Sequence, residues 1–592
     1  MENEDFNKES QTTQIPPQDK DLDMLFLTPE QYDKEKANQV PGTPDWFILL
    51  KNGLYEAEFK EPKKEGQVGY YKLEKISGPI FITANVRNMF DEDWGVLVRY
   101  KDISETPREY LAKRQAFVGR VDWYNDCISL LSYKGLLVLD ESSLRDYLRR
   151  FKTDKLKTEI TCTGWYQDCF ILPNKIIGKC KDDIYFNFVL YSDFSCQGSL
   201  DEWKEKIGKY CELNPKLNFA VSCAFAAPLL KLCGIEGGGF HFYGQSSCGK
   251  TTLLRVATSV CGGKDFMNNW RATINGIEGL AEKRNDTLMV LDEISQSDPY
   301  TIGDTVYMLA NGQGKARANI KGDPRKVKKW LNLFLSTGER DLIDHMKTAQ
   351  KTTQEGQDIR LLSIPAISGN SQYGIFDNIY QFGSSSKFAD YFIDQTQKYY
   401  GIPLVEFLKK LVEHKSEIES EFKKYVLEQK QHYDQIFDGM TNRAFNRFAL
   451  VGFAGEKATE WGVTGWNKGS STSSAHLLFE IWKDNPDRMS MWDKLKHQVR
   501  AFFATHPKYK VSEFACEWSL SDKQRWVFPE IYKDYIIVGF NRHQATKKLV
   551  EWGWIIPGNE EHHYQQKKQV SKNGITKRVY VFDVQQMFSD VL

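Results

Sequence analysis

The chain has 592 residues, 41% of them apolar, with 79 Lys or Arg balanced by 79 Asp or Glu, which is enough for three or four domains with substantial cores. No run approaches the roughly 18 apolar residues of a membrane span, and the start lacks a basic, apolar, small-residue signal layout, so a cytosolic protein with no membrane partner is expected. Eleven Cys include no C-x-x-C pair, so Cys162, Cys169 and Cys180 read as free thiols in a reducing compartment rather than metal ligands.

Zero net charge hides an asymmetry. Residues 1–40 hold ten Asp or Glu against four Lys and show no apolar period before Met24-Leu-Phe-Leu27, which predicts an acidic, disordered tail. Residues 41–195 read as a mixed α+β N-terminal domain. Trp46–Leu50, Ile80–Thr83, Trp94–Tyr100 and Leu136–Leu139 are strand-like, while Glu105–Phe117 and Ser142–Phe151 suit helices. Asp140-Glu141, closing the apolar run 136–139, reads as a solvated strand end.

Residues 196–400 carry the clearest chemistry. Gly244-Gln-Ser-Ser-Cys-Gly-Lys-Thr251 is a complete G-x-x-x-x-G-K-T phosphate loop after the apolar run Gly239–Tyr243 and before the helix-compatible Thr252–Val260. In such a loop the backbone N–H groups of Gly244, Gln245, Ser246, Ser247, Cys248 and Gly249 wrap phosphates, joined by the helix start at Thr252. Lys250 reaches the β/γ oxygens and the Thr251 hydroxyl ligates Mg²⁺. ATP and Mg²⁺ are therefore the expected cofactors.

Asp286-Thr-Leu-Met-Val-Leu-Asp-Glu293 is an apolar run ending in two carboxylates, 42 residues after Lys250. It reads as a Walker B strand, Asp292 holding Mg²⁺ through water and Glu293 polarising the attacking water. A third strand, Trp330–Thr337, ends in hydroxyls at the position where the AAA+ class commonly has an Asn sensor, so Ser336 or Thr337 is expected to orient the water. Arg360 opens a fourth apolar strand, where arginine suits a finger delivered to a neighbouring subunit's nucleotide. Between the second and third of these strands, residues 315–329 hold seven Lys or Arg against one Asp, with Gly322-Asp-Pro324 as a turn.

Residues 401–484 read as a helical lid in which Arg443 or Arg447 is a candidate second sensor for the γ-phosphate. Residues 485–592 suggest a winged helix: a helix over Trp492–Thr505, a second over Asn541–Glu551 bearing Lys547 and Lys548, and strands flanking Asn573-Gly574. The hairpin is basic on both sides, with Lys567, Lys568, Lys572, Lys577 and Arg578 placed to meet duplex phosphates. His562-His563 beside it has no third ligand and reads as loop surface.

The run from Phe225 to Arg360 resembles a family of mobile-element and phage ATPases long known only as a domain of unknown function, related to the MCM-like self-loading replicative helicases (Cch type) of staphylococcal cassette chromosomes. The residues that carry the resemblance are Ala224–Leu230, Phe240–Thr252, Trp270-Arg-Ala-Thr273, Tyr307–Arg317, Leu335-Ser-Thr-Gly-Glu339 and Gln357-Asp-Ile-Arg360. Weaker echoes reach from Gly164-Trp165 to Gly465-Trp466. The resemblance implies ATP-driven DNA unwinding by a hexameric ring with AAA+ cores. It also makes the basic segment a pre-sensor hairpin in the channel, with Lys315, Arg317 and Lys321 on DNA and Lys321 at the tip. Single- and double-stranded DNA, further copies of the chain and element-encoded replication proteins are the implied partners.

A fused primase is disfavoured, because all ten His lie at 241 or beyond and no histidine accompanies Asp140-Glu141. The N-terminal domain is left as an assembly or DNA-collar domain. Two rival readings are a DNA-remodelling or transposition ATPase that does not unwind, and a slow nucleotide switch regulating defence or transcription.

Overall fold

The computed structural model describes residues 23–64, 67–114, 121–173, 175–187, 193–315, 327–349, 357–368, 371–433, 437–485, 491–505, 516–518, 524–558, 564–569 and 576–589. The chain divides into two compact units, Met1–Phe479 and Glu480–Leu592. The N-terminal, nucleotide-binding and helical regions all fall in the first.

The ordered chain starts earlier than its acidic composition suggests. Met24–Leu27 is an edge strand of a four-stranded antiparallel sheet, in the order Met24–Leu27, Tyr70–Ser77, Gly53–Lys60, Phe47–Leu50. The helix Pro29–Ala37 that follows is set by a capping box, in which Thr28 accepts from the Gln31 N–H and Gln31 accepts in return from Thr28. Tyr32 of that helix buries against Leu25, Ile48, Tyr55 and Leu73. A tail over all of 1–40 is therefore incorrect: local capping and one buried aromatic fold residues 24–37, and 1–22 lie outside the described residues.

A second, five-stranded mixed sheet has the order Ile184–Phe186, Leu156–Ile160, Ile80–Asn88, Gly95–Lys101, Pro107–Lys113. The helix expected over 105–117 is instead this last edge strand. Its alternation sends Leu111 to one face with Val86 and Leu97 and Ala112 to the other with Val96 and Val98, while Pro107 at the strand start removes no ladder hydrogen bond. Leu136–Leu139 makes only an isolated bridge, Val138 to Ser77. Asp140 is the N-cap of helix Glu141–Arg150, accepting from the Ser142 and Ser143 N–H groups, so it is engaged in capping rather than standing free at a strand end.

The region expected to hold the nucleotide is built on five parallel strands: β1 (Gly238–Tyr243), β2 (Asn268–Asn269), β3 (Leu288–Asp292), β4 (Leu333–Gly338) and β5 (Leu361–Pro365). Their spatial order is β2-β3-β4-β1-β5. Of these, β3 and the start of β4 are near-continuously apolar and buried, as parallel strands covered on both faces are. Helix α1 (Pro215–Ala226) is almost wholly buried, Phe219 meeting Phe240 of β1 and Phe448 of the long helix α5 (Gly439–Glu460). Its extension to Cys233 is the one described stretch long and apolar enough to cross a membrane, and 83% of it is packed inside this core. Helix α2 (Lys250–Cys261) follows β1, α3 (Ile274–Lys283) precedes β3 and α4 (Ile302–Asn311) follows it.

The basic insertion leaves α4 and returns to β4 as a paired stem. Gln313 bridges Lys329 antiparallel and the Gly314 N–H donates to the Lys328 carbonyl at 2.9 Å. Residues 316–326, including Arg317 and Lys321, lie outside the described residues.

The second unit packs helices Met491–Thr505 and Arg542–Glu551 on a sheet ordered Cys516–Trp518, Gln524–Val527, Thr576–Asp583, Ile555–Ile556. Leu495, Val499, Ala545, Leu549, Trp554 and Phe582 form its core. Gln566–Gln569 pairs antiparallel with Thr576–Asp583, putting Lys567 opposite Arg578 and Lys568 opposite Lys577. Residues 570–575 lie outside the described residues.

Candidate nucleotide site

The phosphate loop leaves the carboxyl end of β1. Gly249 sits at φ +99° immediately before α2, and a Cβ there would come within 2.7 Å of Ile375. Ser247 holds φ +63° without being glycine, a local strain that turns its peptide into the loop. The Cys248 carbonyl accepts from the Ile375 N–H at 2.8 Å, so the segment 373–376 braces the loop from behind. Lys250 is buried, and its ammonium donates to the carbonyls of Gly244 at 2.8 Å and Gln245 at 2.7 Å.

Parallel pairing of β4 with β1, and of β3 with β4, brings the other carboxyl ends alongside the loop. The Thr251 hydroxyl donates to Asp292 Oδ2 at 3.2 Å, and the Thr337 hydroxyl donates to Asp292 Oδ1. Glu293 follows at φ +57°, its N–H donating to Thr337 Oγ1 at 3.4 Å while its Oε1 accepts from Ser295 at 2.5 Å.

Thr251 and Asp292 fit a magnesium ion. Both offer oxygen, the ligand type magnesium takes, and Thr251 Oγ1 lies 3.2 Å from Asp292 Oδ2 beside the loop, so Thr251 would ligate the ion directly and Asp292 through water.

Adjacent residues of a strand face opposite ways, and this separates the two sensor candidates. Thr337 faces Asp292. Ser336 is fully buried on the other side, 2.8 Å from Trp270 Nε1 and 2.9 Å from His241 Nδ1, while His241 Nε2 lies 2.9 Å from the Arg340 carbonyl. An indole only donates and a carbonyl only accepts. His241 therefore carries its proton on Nε2, and Ser336 accepts from Trp270 and donates to Nδ1. Burial pushes the His241 pKa down to about 4, so the ring is neutral. Ser336 is thus a structural link rather than a hydroxyl facing the nucleotide. The Trp270 backbone N–H separately donates to the Asp292 carbonyl at 3.1 Å. His241 and Trp270 had no assigned role in the sequence; the signal was a polar residue inside an apolar strand and a fully buried tryptophan within a shared motif.

The three candidate arginines lie elsewhere. Leu361 pairs with Gly239 and Pro365 with Tyr243, so Arg360 stands at the amino edge of the sheet, about 20 Å along the strands from Gly244 at 3.3 Å per residue. Its Nε donates to Asn311 at 3.1 Å and its guanidinium lies 4.1 Å from the Tyr307 ring centre. Arg447 is buried at the same edge, donating to the carbonyls of Ile359 at 2.6 Å and Gly237 at 3.2 Å. It fits because residue 238 is glycine: a Cβ there would stand 2.4 Å from the Arg447 Cζ. Burial pulls its pKa down to about 10, with Glu236 opposing and Arg360 adding to the fall. Arg443, Arg447 and Arg360 line one cavity of about 340 Å³. As sensors for the phosphate loop of their own chain, Arg443 and Arg447 are misplaced, because α5 delivers them to the amino edge of the sheet and the loop leaves its carboxyl edge.

Of the residues expected on DNA, Lys315 is exposed at the foot of the insertion. Lys547 is exposed on helix Arg542–Glu551, and Lys548 pairs with Glu551 at 2.7 Å. Lys577 is exposed on the hairpin opposite Lys568, and Lys572 lies outside the described residues. Like charges placed directly opposite cost stability, so the pairs Lys567–Arg578 and Lys568–Lys577 mark a strip suited to an anion.

Fold and site together define a mixed α/β protein with a phosphate loop and an acidic strand end on a parallel sheet. Residues 47–329 match the model of a family described as "Domain of unknown function (DUF927)". The structure is similar to a solved one described as "SCCmec type IV Cch - active helicase", at 17% identity and a TM-score of 0.65, covering 93% of this chain and 100% of that one. At this identity the likeness is one of fold, and it is the likeness the sequence motifs suggested. A second solved structure, "The A form apo structure of NrS-1 C terminal region-CTR", aligns at 10% identity over 69% of this chain and 92% of that one, with a TM-score of only 0.27. No curated protein matches significantly by sequence.

Proposed function

We propose that the chain is an AAA+ ATP-dependent DNA helicase, assembled as a hexameric ring that replicates a mobile genetic element in the cytosol. The observation that carries the nucleotide chemistry is the convergence of Thr251 and Thr337 on the two oxygens of Asp292, with Glu293 next in the chain and Lys250 beneath the loop. Magnesium, held by Thr251 and Asp292, would neutralise phosphate charge. Lys250 leaves the loop carbonyls for the β/γ oxygens, Glu293 takes the proton of the attacking water, and Thr337 fixes the direction of Asp292.

Arg360 and Arg443 act on the nucleotide of the neighbouring subunit, since both sit on the edge remote from their own loop. Arg447, pinned to two carbonyls, holds that edge in shape. The stem at Gln313 and Lys329 carries Lys315, Arg317 and Lys321 as a DNA-gripping hairpin, and the second unit is a winged helix whose Lys547, Lys548, Lys572 and Lys577 meet duplex phosphates. The fold likeness to a protein described as an active helicase supports unwinding over the remodelling and switch alternatives.

Strand displacement from forked DNA with 3′ and 5′ tails tests the reading. Displacement that needs ATP and is lost in Glu293→Gln is expected; DNA-stimulated turnover without displacement would favour remodelling, and turnover indifferent to DNA would favour a switch.

A further inference from the structure

A cavity of about 610 Å³ lies between the two N-terminal sheets, lined by no residue of the loop 244–251, within the range of ligand sites. Its floor is apolar. Strand pairing sets Phe81, Arg99 and Glu109 in one cross-strand row and Lys101 opposite Pro107 in the next, and Phe81 also packs against the main N-terminal core. Leu49 and Pro79 close the floor beside the half-buried Phe81 ring.

The rim is cationic. Lys51, Arg99, Lys101 and Arg108 line the cavity against one acid, Glu109. Lys51 is exposed with no ion-pair partner among the described residues. Arg99 meets Glu109 at 3.4 Å and Lys101 meets Glu105 at 2.8 Å, both solvent-facing pairs that a phosphate can displace at small cost. Arg108 is committed to Asp102, whose carboxyl is also held by Ser104 and Thr106, so it shapes the rim.

An aromatic ring on a sheet, in a cavity lined by both cations and apolar residues, is the arrangement that takes an unpaired base and its phosphates; a duplex has no free base face to offer, and an apolar peptide has no use for the cations. We propose that this groove binds single-stranded DNA, with one base stacked on Phe81 and the adjoining phosphates on Lys51, Arg99 and Lys101. The site shares the DNA partner of the proposed function but none of its residues.

The test is fluorescence anisotropy of a labelled oligothymidylate on the full chain. Phe81→Leu keeps the apolar volume, and Lys51→Gln with Arg99→Gln touches no core; each is expected to weaken binding at least about tenfold, the charge variant also lowering the salt slope, while Phe81→Tyr binds normally. Basal ATP turnover is unchanged in all three. An iodouridine-substituted oligothymidylate is expected to crosslink to the peptides holding Phe81 and Lys51. Unchanged affinity in both weakened variants, crosslinks only elsewhere, or a groove that prefers duplex DNA overturns the assignment. Unwinding that survives such a result leaves the helicase reading standing.

Discussion

Lys250 and Arg360 lie at opposite ends of one parallel sheet. Lys250 follows the loop at the carboxyl edge, and Arg360 immediately precedes β5 at the amino edge, where Leu361 pairs with Gly239. One chain cannot bring both to the same phosphate without breaking the sheet. If both serve hydrolysis, each nucleotide lies between two copies.

The first prediction separates binding from chemistry at one site. Lys250→Ala is expected to lose ATP binding, because the loop then has no cation for the β/γ oxygens. Glu293→Gln is expected to bind ATP but turn over at least about 100-fold more slowly. Binding by equilibrium dialysis and turnover by phosphate release check both, and near-normal turnover in Glu293→Gln would remove Glu293 from the mechanism.

The second exploits the opposite faces of Ser336 and Thr337. Thr337→Val should slow turnover about tenfold or more with little change in ATP affinity, since only the alignment of Asp292 is lost. Ser336→Ala should instead lower the melting temperature, because it leaves the Trp270 N–H and His241 Nδ1 unpaired in a dry interior, a cost of about 1–3 kcal/mol. Equal kinetic effects with no change in melting would contradict the assignment of Ser336 to the buried link.

A third concerns pH. Asp286 is buried, accepting from the Trp165 N–H at 3.0 Å, and burial raises its pKa from 3.8 to about 6 against the opposing pull of Trp165, Lys231 and Asn285. A raised folded-state pKa gives stability that is complete below pH 3.8 and is lost as pH rises through about 6. Relative to Asp286→Asn, the wild-type chain should therefore lose stability between those values and run parallel above them. Urea unfolding of both proteins across that window checks the sign, and a wild-type stability that rises relative to Asp286→Asn as pH increases would refute it.

The fourth concerns the track. Lys321→Ala should abolish unwinding and leave basal ATP turnover largely intact, because the insertion stem stands apart from the loop. Removing residues 485–592 should weaken duplex binding with a smaller salt slope, as the cationic hairpin goes with them. Wild-type unwinding by Lys321→Ala would make the insertion an ordinary solvated loop.

The phosphate loop and the Asp292-Glu293 strand end were legible because their chemistry is local: glycines, lysine and carboxylates declare themselves within a few residues. Ser336 and Thr337 were not separable, since which face of β4 meets Asp292 depends on its register with β1 and β3. Arg447 read as a sensor because nothing nearby in sequence shows that Gly238, more than two hundred residues earlier, leaves a socket for it. The strand Pro107–Lys113 read as a helix because its two buried residues are adjacent, and only the two cores on either side of the sheet explain both. Residues 24–37 read as tail because their acidity outweighed one capping box and one buried Tyr32.

The most direct test of a shared site is subunit mixing. Lys250→Ala and Arg360→Ala proteins, each inactive alone, are combined and ATP turnover is measured across the mixing ratio. Restored activity, peaking at intermediate ratios as interfaces with one intact face of each kind form, is the result this account predicts. No activity at any ratio, or light scattering that finds only monomers with ATP and DNA present, would contradict it.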